Sequence, residues 1–284
     1  MPNVPIIDSH VHLFDTNRLS YGWLERRPGI NRPHLFEDYE RATESLPIEK
    51  LVFAEVWVDA PFHIAEAEWL AEQAARHPTI AGMIAAAPLE NGRDVLGDIQ
   101  KLQALPTFRA VRRITEAEAD YRFCERPGFV DAVRLLGELN VVCDVCVFSH
   151  QLPGVISLAR QCPETTIVLD HIGKPAIRHG EVDSWRGHIN ELSALPNVLT
   201  KISGVLTEAD QRNWSREIVR PYLDHAIESF GFDRVMFGSD WPVLALTTSI
   251  QEWVDIVDWT IRGSSKDEQS KLYRNNAARL YKLS

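Results

Sequence analysis

Two histidines one residue apart, His10 and His12, close an apolar run near the N-terminus in the segment Asp8-Ser9-His10-Val11-His12. Far downstream a second apolar run, Arg234-Val235-Met236-Phe237, ends in Gly238-Ser239-Asp240-Trp241-Pro242. Alternate residues of a strand face one side, so the two imidazoles point the same way. If both runs are strands of one barrel, two imidazoles and a carboxylate meet at one mouth. Such groups bind a metal or move a proton. A His-x-His pattern by itself can arise by chance in a chain with ten histidines. The Asp240 segment, and the polar groups that lie between, give it weight.

The elements that must position these residues are legible as alternating patterns. Near-continuous apolar runs at Val4–His10, Leu51–Trp57, Ile80–Ala86, Ala110–Ile114, Val141–Val147, Thr166–His171, Val198–Ile202 and Arg234–Gly238 read as strands covered on both faces. Between them the period becomes helical. Ile64, Leu70, Ala71 and Ala74 share a face, as do Leu96, Ile99, Leu102 and Leu105. The same holds for Phe129, Val133, Leu136 and Leu139, for Trp185, Ile189, Leu192 and Leu195, for Ile218, Leu223, Ala226 and Phe230, and for Trp253, Ile256, Val257 and Thr260. Eight strand-helix units over 284 residues predict an α/β fold, a (β/α)8 barrel spanning residues 1–284 as one domain. An open doubly wound sheet would usually carry a glycine-rich turn after its first strand. Here that position reads His10-Val11-His12-Leu13-Phe14. The stretch 15–47 is an insertion after the first strand, and its aromatics Tyr21, Trp23, Phe36 and Tyr39 could wall the mouth or simply pack as a surface loop.

In such barrels chemistry gathers at the C-terminal strand ends. Those ends offer His10 and His12, Glu55 and Trp57, Arg112 or Arg113, Ser149 and His150, Asp170-His171-Ile172-Gly173-Lys174, Lys201 and Ser203, and Asp240 with Trp241. Each has a plain structural reading as well. Glu55 could pair with an arginine as structural glue, and Lys201 could snorkel from the sheet. The set His10, His12, His171 and Asp240 is the one whose joint placement is specific.

Composition narrows the partners. A formal net charge of −10 argues against nucleic acid or an anionic membrane surface, although local arginines could still hold a small anion. No stretch is long and apolar enough to span a bilayer, and no basic segment followed by an apolar leader opens the chain. Four cysteines do not suggest a disulfide scaffold, which fits a reducing cytoplasm. Cys143 and Cys146 lie three apart in an apolar strand and read as buried thiols.

The segments Ile-Asp-Ser-His-Val-His, Leu-Asp-His-Ile-Gly-Lys-Pro, Lys-Ile-Ser-Gly and Phe-Gly-Ser-Asp-Trp-Pro resemble the amidohydrolase superfamily. They are similar in particular to its sugar-lactonase branch, with L-fuconolactone and L-rhamnonolactone hydrolases and pyrone-dicarboxylate lactonase. The resemblance runs from about residue 4 to about residue 282 and implies a distorted barrel that hydrolyses a cyclic ester. It implies catalytic roles for His10, His12, His171 and Asp240. It also implies either no required cofactor or one divalent metal, zinc foremost, on those same four residues. Strand four carries arginines where two-metal members have a bridging Lys or Glu, and strand five has His150 only in the following loop. Both departures argue against a binuclear centre.

The substrate expected is a small sugar lactone, opened by water that Asp240 activates while the histidines and a nearby Arg or Lys polarise the carbonyl. Arg112, Lys174, Lys201, Glu55, Trp57, Trp241 and His150 are the candidate substrate contacts. A dicarboxylated pyrone, a metal-dependent decarboxylation, an amidase and a non-catalytic barrel are the alternatives. The oligomeric state stays open, a homodimer included.

Overall fold

Strand runs rich in Ile, Val, Leu and Phe bury both faces and pair in parallel. The computed structural model, which describes residue 2 and residues 4–211 and 213–283, places eight of them in one sheet. They are β1 (Ile6–Val11), β2 (Ile48–Ala54), β3 (Ile80–Ala86), β4 (Phe108–Ile114), β5 (Val142–Cys146), β6 (Ile167–Leu169), β7 (Val198–Ile202) and β8 (Val235–Phe237). Every strand pairs in parallel with the next in sequence, and each is followed by a helix: α1 (Phe36–Ala42), α2 (His63–Arg76), α3 (Leu96–Gln103), α4 (Pro127–Glu138), α5 (Leu152–Gln161), α6 (Asp183–Ser193), α7 (Arg216–Phe230) and α8 (Ile250–Thr260). Two short helices, α9 (Lys266–Ser270) and α10 (Asn276–Leu280), end the chain. The (β/α)8 barrel read from the pattern is the observed fold. No helix among the described residues is long and apolar enough to cross a membrane.

The last strand meets the first through specific groups. His12 N donates to Trp241 O at 2.7 Å, and Asp240 N donates to His10 O at 2.9 Å. Ser9 Oγ donates to Phe237 O, and Ser239 N to Asp8 Oδ1 at 2.8 Å. Gly238 is required at this seam, because a Cβ there would stand 2.8 Å from His10 Cβ and 3.1 Å from Ser203 Cβ. The Asp8-Ser9 pair that precedes the histidines is therefore the barrel's seam. Asp8 also accepts from Tyr39 Oη of α1 at 3.0 Å, and burial raises its carboxyl to about 6.

Inside the barrel, Ile7, Val52, Ile84, Ala110, Val168, Leu199 and Met236 form an apolar layer, with Ala277, Tyr281 and Leu283 of the C-terminal segment packed on it. Asn276 Nδ2 donates to Phe232 O and Val235 O, which anchors that segment at the start of β8. Above the apolar layer the interior is charged rather than greasy, with Asp144, Lys201, Arg112 and Asp170 all buried.

The structure departs from the sequence reading in local ways. β6 was expected to reach His171 but ends at Leu169, and β2 was expected to reach Trp57 but ends at Ala54. The chain leaves the sheet there because His171, Ile172, Lys174 and Trp57 take positive φ of 56°, 49°, 43° and 55°. Each such non-glycine residue costs roughly 1–2 kcal/mol, and such strain collects where geometry serves function. On α7 the buried face is Val219, Tyr222, Leu223, Ala226 and Phe230. Ile218, one position off that stripe, is 48% exposed. Leu96, at the first turn of α3, is likewise exposed.

Candidate active site

His10 and His12 leave β1 with their rings 4.9 Å apart, and the His171 ring lies 4.5 Å from that of His10. Asp240 Oδ1 sits among all three, 3.2 Å from His12 Nε2 and 3.8 Å from Nε2 of both His10 and His171. The four residues singled out from the motifs thus converge, although they follow three different strands and lie up to 230 positions apart in the chain. His171 arrives on a left-handed turn, not on a strand. Gly204, with φ of 60°, leaves space for it: a Cβ there would meet His171 Nδ1 at 2.3 Å.

Hydrogen bonds fix what each ring presents. A carbonyl only accepts, so His12 Nδ1 carries the proton it gives to Ala54 O at 2.8 Å. Its Nε2 faces the Asp240 carboxylate at 3.2 Å, a spacing that a proton or a cation between the two would satisfy. A backbone carbonyl on the far nitrogen is also the usual support of a metal-bound histidine. His10 is different: its Nε2 lies 3.0 Å from Arg112 Nη1, and its Nδ1 faces both Lys201 Nζ at 3.1 Å and Asp170 Oδ1 at 3.3 Å, so a neutral ring accepts from one of the two cations and not from both. Ligand atoms of His10, His12 and Asp240 lie within 4.8 Å of one another. The donor set fits one divalent ion, provided that Arg112 yields the His10 lone pair. His171 groups with His10 and Asp170 instead.

Burial penalises charge on Asp240, but His171, His12 and His10 outweigh it and hold the carboxyl well below the usual carboxylate range. His171 is pushed down to about 4, burial prevailing over the attraction of Asp240 and Asp170, and its Nδ1 lies 2.8 Å from Ser203 Oγ. The sign follows from linkage. The unfolded ring protonates near 6.5 and the folded ring near 4, so between those values the unfolded chain binds more protons. Stability from this ring is full above 6.5 and is lost as pH falls toward 4. Turnover should therefore hold from neutrality to about pH 5 and fall below it as His171 charges. A pH profile of kcat/KM beside melting curves checks this. An acid limb centred near pH 6.5 would show that His171 titrates as a free imidazole.

A cavity of about 750 Å³ opens over these groups. His12, His171, Asp240, Arg112, Lys174 and Trp57 line it. The insertion after β1 supplies part of its wall through Trp23, Arg26 and Arg27. Trp23 Nε1 donates to Val56 O at 2.7 Å, which ties that wall to the loop after β2. Of the other insertion aromatics, Tyr39 serves the seam and Phe36 stacks on His77.

Four expected substrate contacts lie elsewhere. Glu55 is buried beneath the cavity, with Oε1 accepting from Arg112 Nε at 2.9 Å and Oε2 from Trp57 N at 2.6 Å. Lys201 is wholly buried and contacts Asp144 Oδ2 at 2.5 Å and Asp170 Oδ1 at 2.9 Å. Trp241 packs edge-on against His34 and Tyr39 in the core. His150 is exposed, is not among the residues that line the cavity, and stacks on Phe148. The reason is common to the first two: a charge on an inward strand position is taken up by an opposite charge on another strand before it reaches the cavity. Arg112 is the inward arginine, while Arg113 turns out to Glu90 and Glu118.

Three acidic residues with parts in the site are not among the candidate catalytic or substrate-binding residues read from the sequence. Asp170 braces His10 and Arg112, and its place beside His171 was the available signal. Asp144 stands alone as a charge in the apolar run Val142–Cys146, which implies a buried partner. Glu116, just past β4, pairs with Lys174 at the cavity wall. All four cysteines are free and buried.

Comparison with known proteins gives one consistent picture. The family model described as amidohydrolase matches residues 7–283. An L-fucono-1,5-lactonase of Burkholderia multivorans is 34% identical over 98% of this chain and 96% of its own. An L-fucono-1,5-lactonase of Burkholderia ambifaria is 28% identical over 77% of this chain and 76% of its own. A crystal structure of a Burkholderia multivorans amidohydrolase with bound zinc superposes with a TM-score of 0.88 at 30% identity, covering 99% of this chain and all of that one.

Proposed function

The chain belongs to the amidohydrolase family, and we propose that it opens a sugar lactone to the corresponding sugar acid. The observation that carries this reading is Asp240 ringed by His10, His12 and His171 at the floor of a cavity whose wall holds Trp23 and Trp57. Flat indole faces suit the C–H faces of a sugar ring. Five carboxyl groups (Glu25, Asp59, Glu116, Glu208, Asp240) face four cationic ones (Arg26, Arg27, Arg112, Lys174) around the cavity. The two deep cations are already neutralised, Arg112 by Glu55 and Asp170 and Lys174 by Glu116. That balance favours a neutral polyhydroxylated ring over a dicarboxylated pyrone. The names of the two lactonase relatives point the same way.

In this reading Asp240 takes a proton from water placed against the lactone carbonyl. With Ser203 Oγ–H donating to Nδ1, His171 presents Nε2–H to the carbonyl oxygen and stabilises the charge that develops there. Lys174 stands on the same wall with its charge matched by Glu116. A divalent ion on His10, His12 and Asp240 would, when bound, polarise the same carbonyl. Decarboxylation has less support, because the end of β5 gives the cavity Cys146 and Phe148 and His150 is not among its lining residues.

A pH-indicator screen over five- and six-membered aldonolactones, on metal-analysed protein with and without chelator, tests the proposal. Turnover in both conditions would assign the chemistry to the side chains. Turnover lost with chelator and restored by zinc would place the ion in the reaction. Hydrolysis of no lactone would overturn the reading.

A further inference from the structure

We infer that Lys174, Glu116 and Glu208 form a site that takes a pair of adjacent hydroxyl groups on the lactone ring. This rests on the lactonase reading and deepens it, by naming the part of the substrate that one wall of the cavity reads.

Hydrogen-bond capacity singles these three out. All line the cavity and are half-buried. The Lys174 ammonium has three N–H donors. Among the described residues the one oxygen it meets is Glu116 Oε2, so two donors remain. Glu116 Oε2 also faces Cys146 Sγ at 3.5 Å, and its Oε1 has no partner among the described residues. Glu208 ends the 3-10 turn Val205–Glu208 after β7. It has no salt bridge among the described residues, and its one side-chain contact is Thr207 Oγ1 at 3.4 Å. Arg112 and Asp59 are committed by contrast. Arg112 donates to Glu55 and Asp170, and Asp59 accepts from Ser20 Oγ and Gly22 N.

An ammonium that acts on two carboxylates is the complement of a vicinal diol, and Lys174 attracts Glu116 and Glu208 alike. Each hydroxyl can donate to one carboxylate, while both oxygens accept from the ammonium. A ring carbon without its hydroxyl brings no donor and leaves a carboxylate unpaired once water is displaced. The fold sets this site opposite the aromatic wall. Glu116 follows β4, Lys174 follows β6 and Glu208 follows β7, whereas Trp57 follows β2 and Trp23 lies in the insertion after β1. With eight strands in sequence order, β2 and β6 stand across the barrel axis from each other. A sugar ring between the walls meets indole with its C–H bonds and the charged trio with its hydroxyls.

The test is steady-state hydrolysis of an aldonolactone that the protein opens, and of its monodeoxy analogues, by wild type and by Glu208→Ala. On the parent lactone the variant should lose about 10–100-fold in kcat/KM, the worth of a hydrogen bond to a charged group. The loss should fall chiefly on KM, since Glu208 holds a hydroxyl and not the reacting carbonyl. On the analogue that lacks that hydroxyl, the two proteins should agree within about threefold, because the contact is already gone. The ratio of variant to wild type cancels the intrinsic reactivity of each lactone. Wild type alone should also disfavour two analogues deoxygenated at neighbouring carbons, a result that needs no variant. No loss on the parent, an equal loss on the parent and every analogue, a loss confined to kcat, or no neighbouring pair disfavoured by wild type would overturn the diol site and leave the lactonase reading standing. Wild-type protein that opens no lactone would overturn both.

Discussion

Asp240→Asn is expected to fold normally and to lose about 10³-fold in kcat, within the range seen for removal of a positioned base. Asparagine is the right probe because Asp240 holds a φ of 61°, which asparagine adopts more readily than other residues. The backbone bond from residue 240 N to His10 O, which closes the barrel, is retained. The amide also keeps an oxygen beside His12, so the side chain changes in basicity more than in shape. What disappears is the negative charge that His171, His12 and His10 stabilise together. Melting should therefore shift by only a few degrees while kcat collapses and KM changes little. The measurement is steady-state hydrolysis of the best lactone alongside a thermal melt. Near-normal kcat in a folded protein would remove Asp240 from the role of base.

The convergence of His10, His12, His171 and Asp240 was legible because each lies just past an apolar strand run, and the barrel brings strand ends to one face whatever their distance along the chain. The same rule misread Glu55 and Lys201. Both are inward polar residues near strand ends, but whether such a residue reaches the cavity depends on what stands across from it. Lys201 meets Asp144, 57 positions earlier and from another strand, and no local pattern encodes that pairing. Glu55 meets Arg112 by the same logic. The overlong β6 has a different cause. The run Thr166–His171 is strand-like in composition, and only the left-handed turn at His171 and Ile172, packed over Gly204, stops it.

Removal of the Lys201 ammonium should have the largest effect on stability. Its Nζ lies 2.5 Å from Asp144 Oδ2, 2.9 Å from Asp170 Oδ1 and 3.1 Å from His10 Nδ1, with no solvent exposure. Lys201→Met would fill the same volume but leave two buried carboxylates facing each other. Breaking a buried pair from one side costs about 3–5 kcal/mol, which at about 2–4 °C per kcal/mol lowers Tm by roughly 10 °C. Burial already raises Asp144 to about 6, against the attraction of Lys201. Without that attraction Asp144 should hold its proton at neutral pH. A carboxyl raised in the folded state stabilises it at low pH and ceases to do so as pH rises through its folded pKa. The deficit of Lys201→Met should accordingly shrink between pH 7 and pH 5. Adding Asp144→Asn restores the charge balance, and Asn can still accept from Tyr281 Oη, which now lies 3.0 Å from Asp144 Oδ2. The double variant should recover at least half of the lost Tm. A single variant that melts within about a degree of wild type would mean that the charged layer is not what holds the floor of the site. Recovery by Asp144→Asn would instead show that the layer acts as one balanced unit, with the placement of His10 dependent on charges that the cavity never touches.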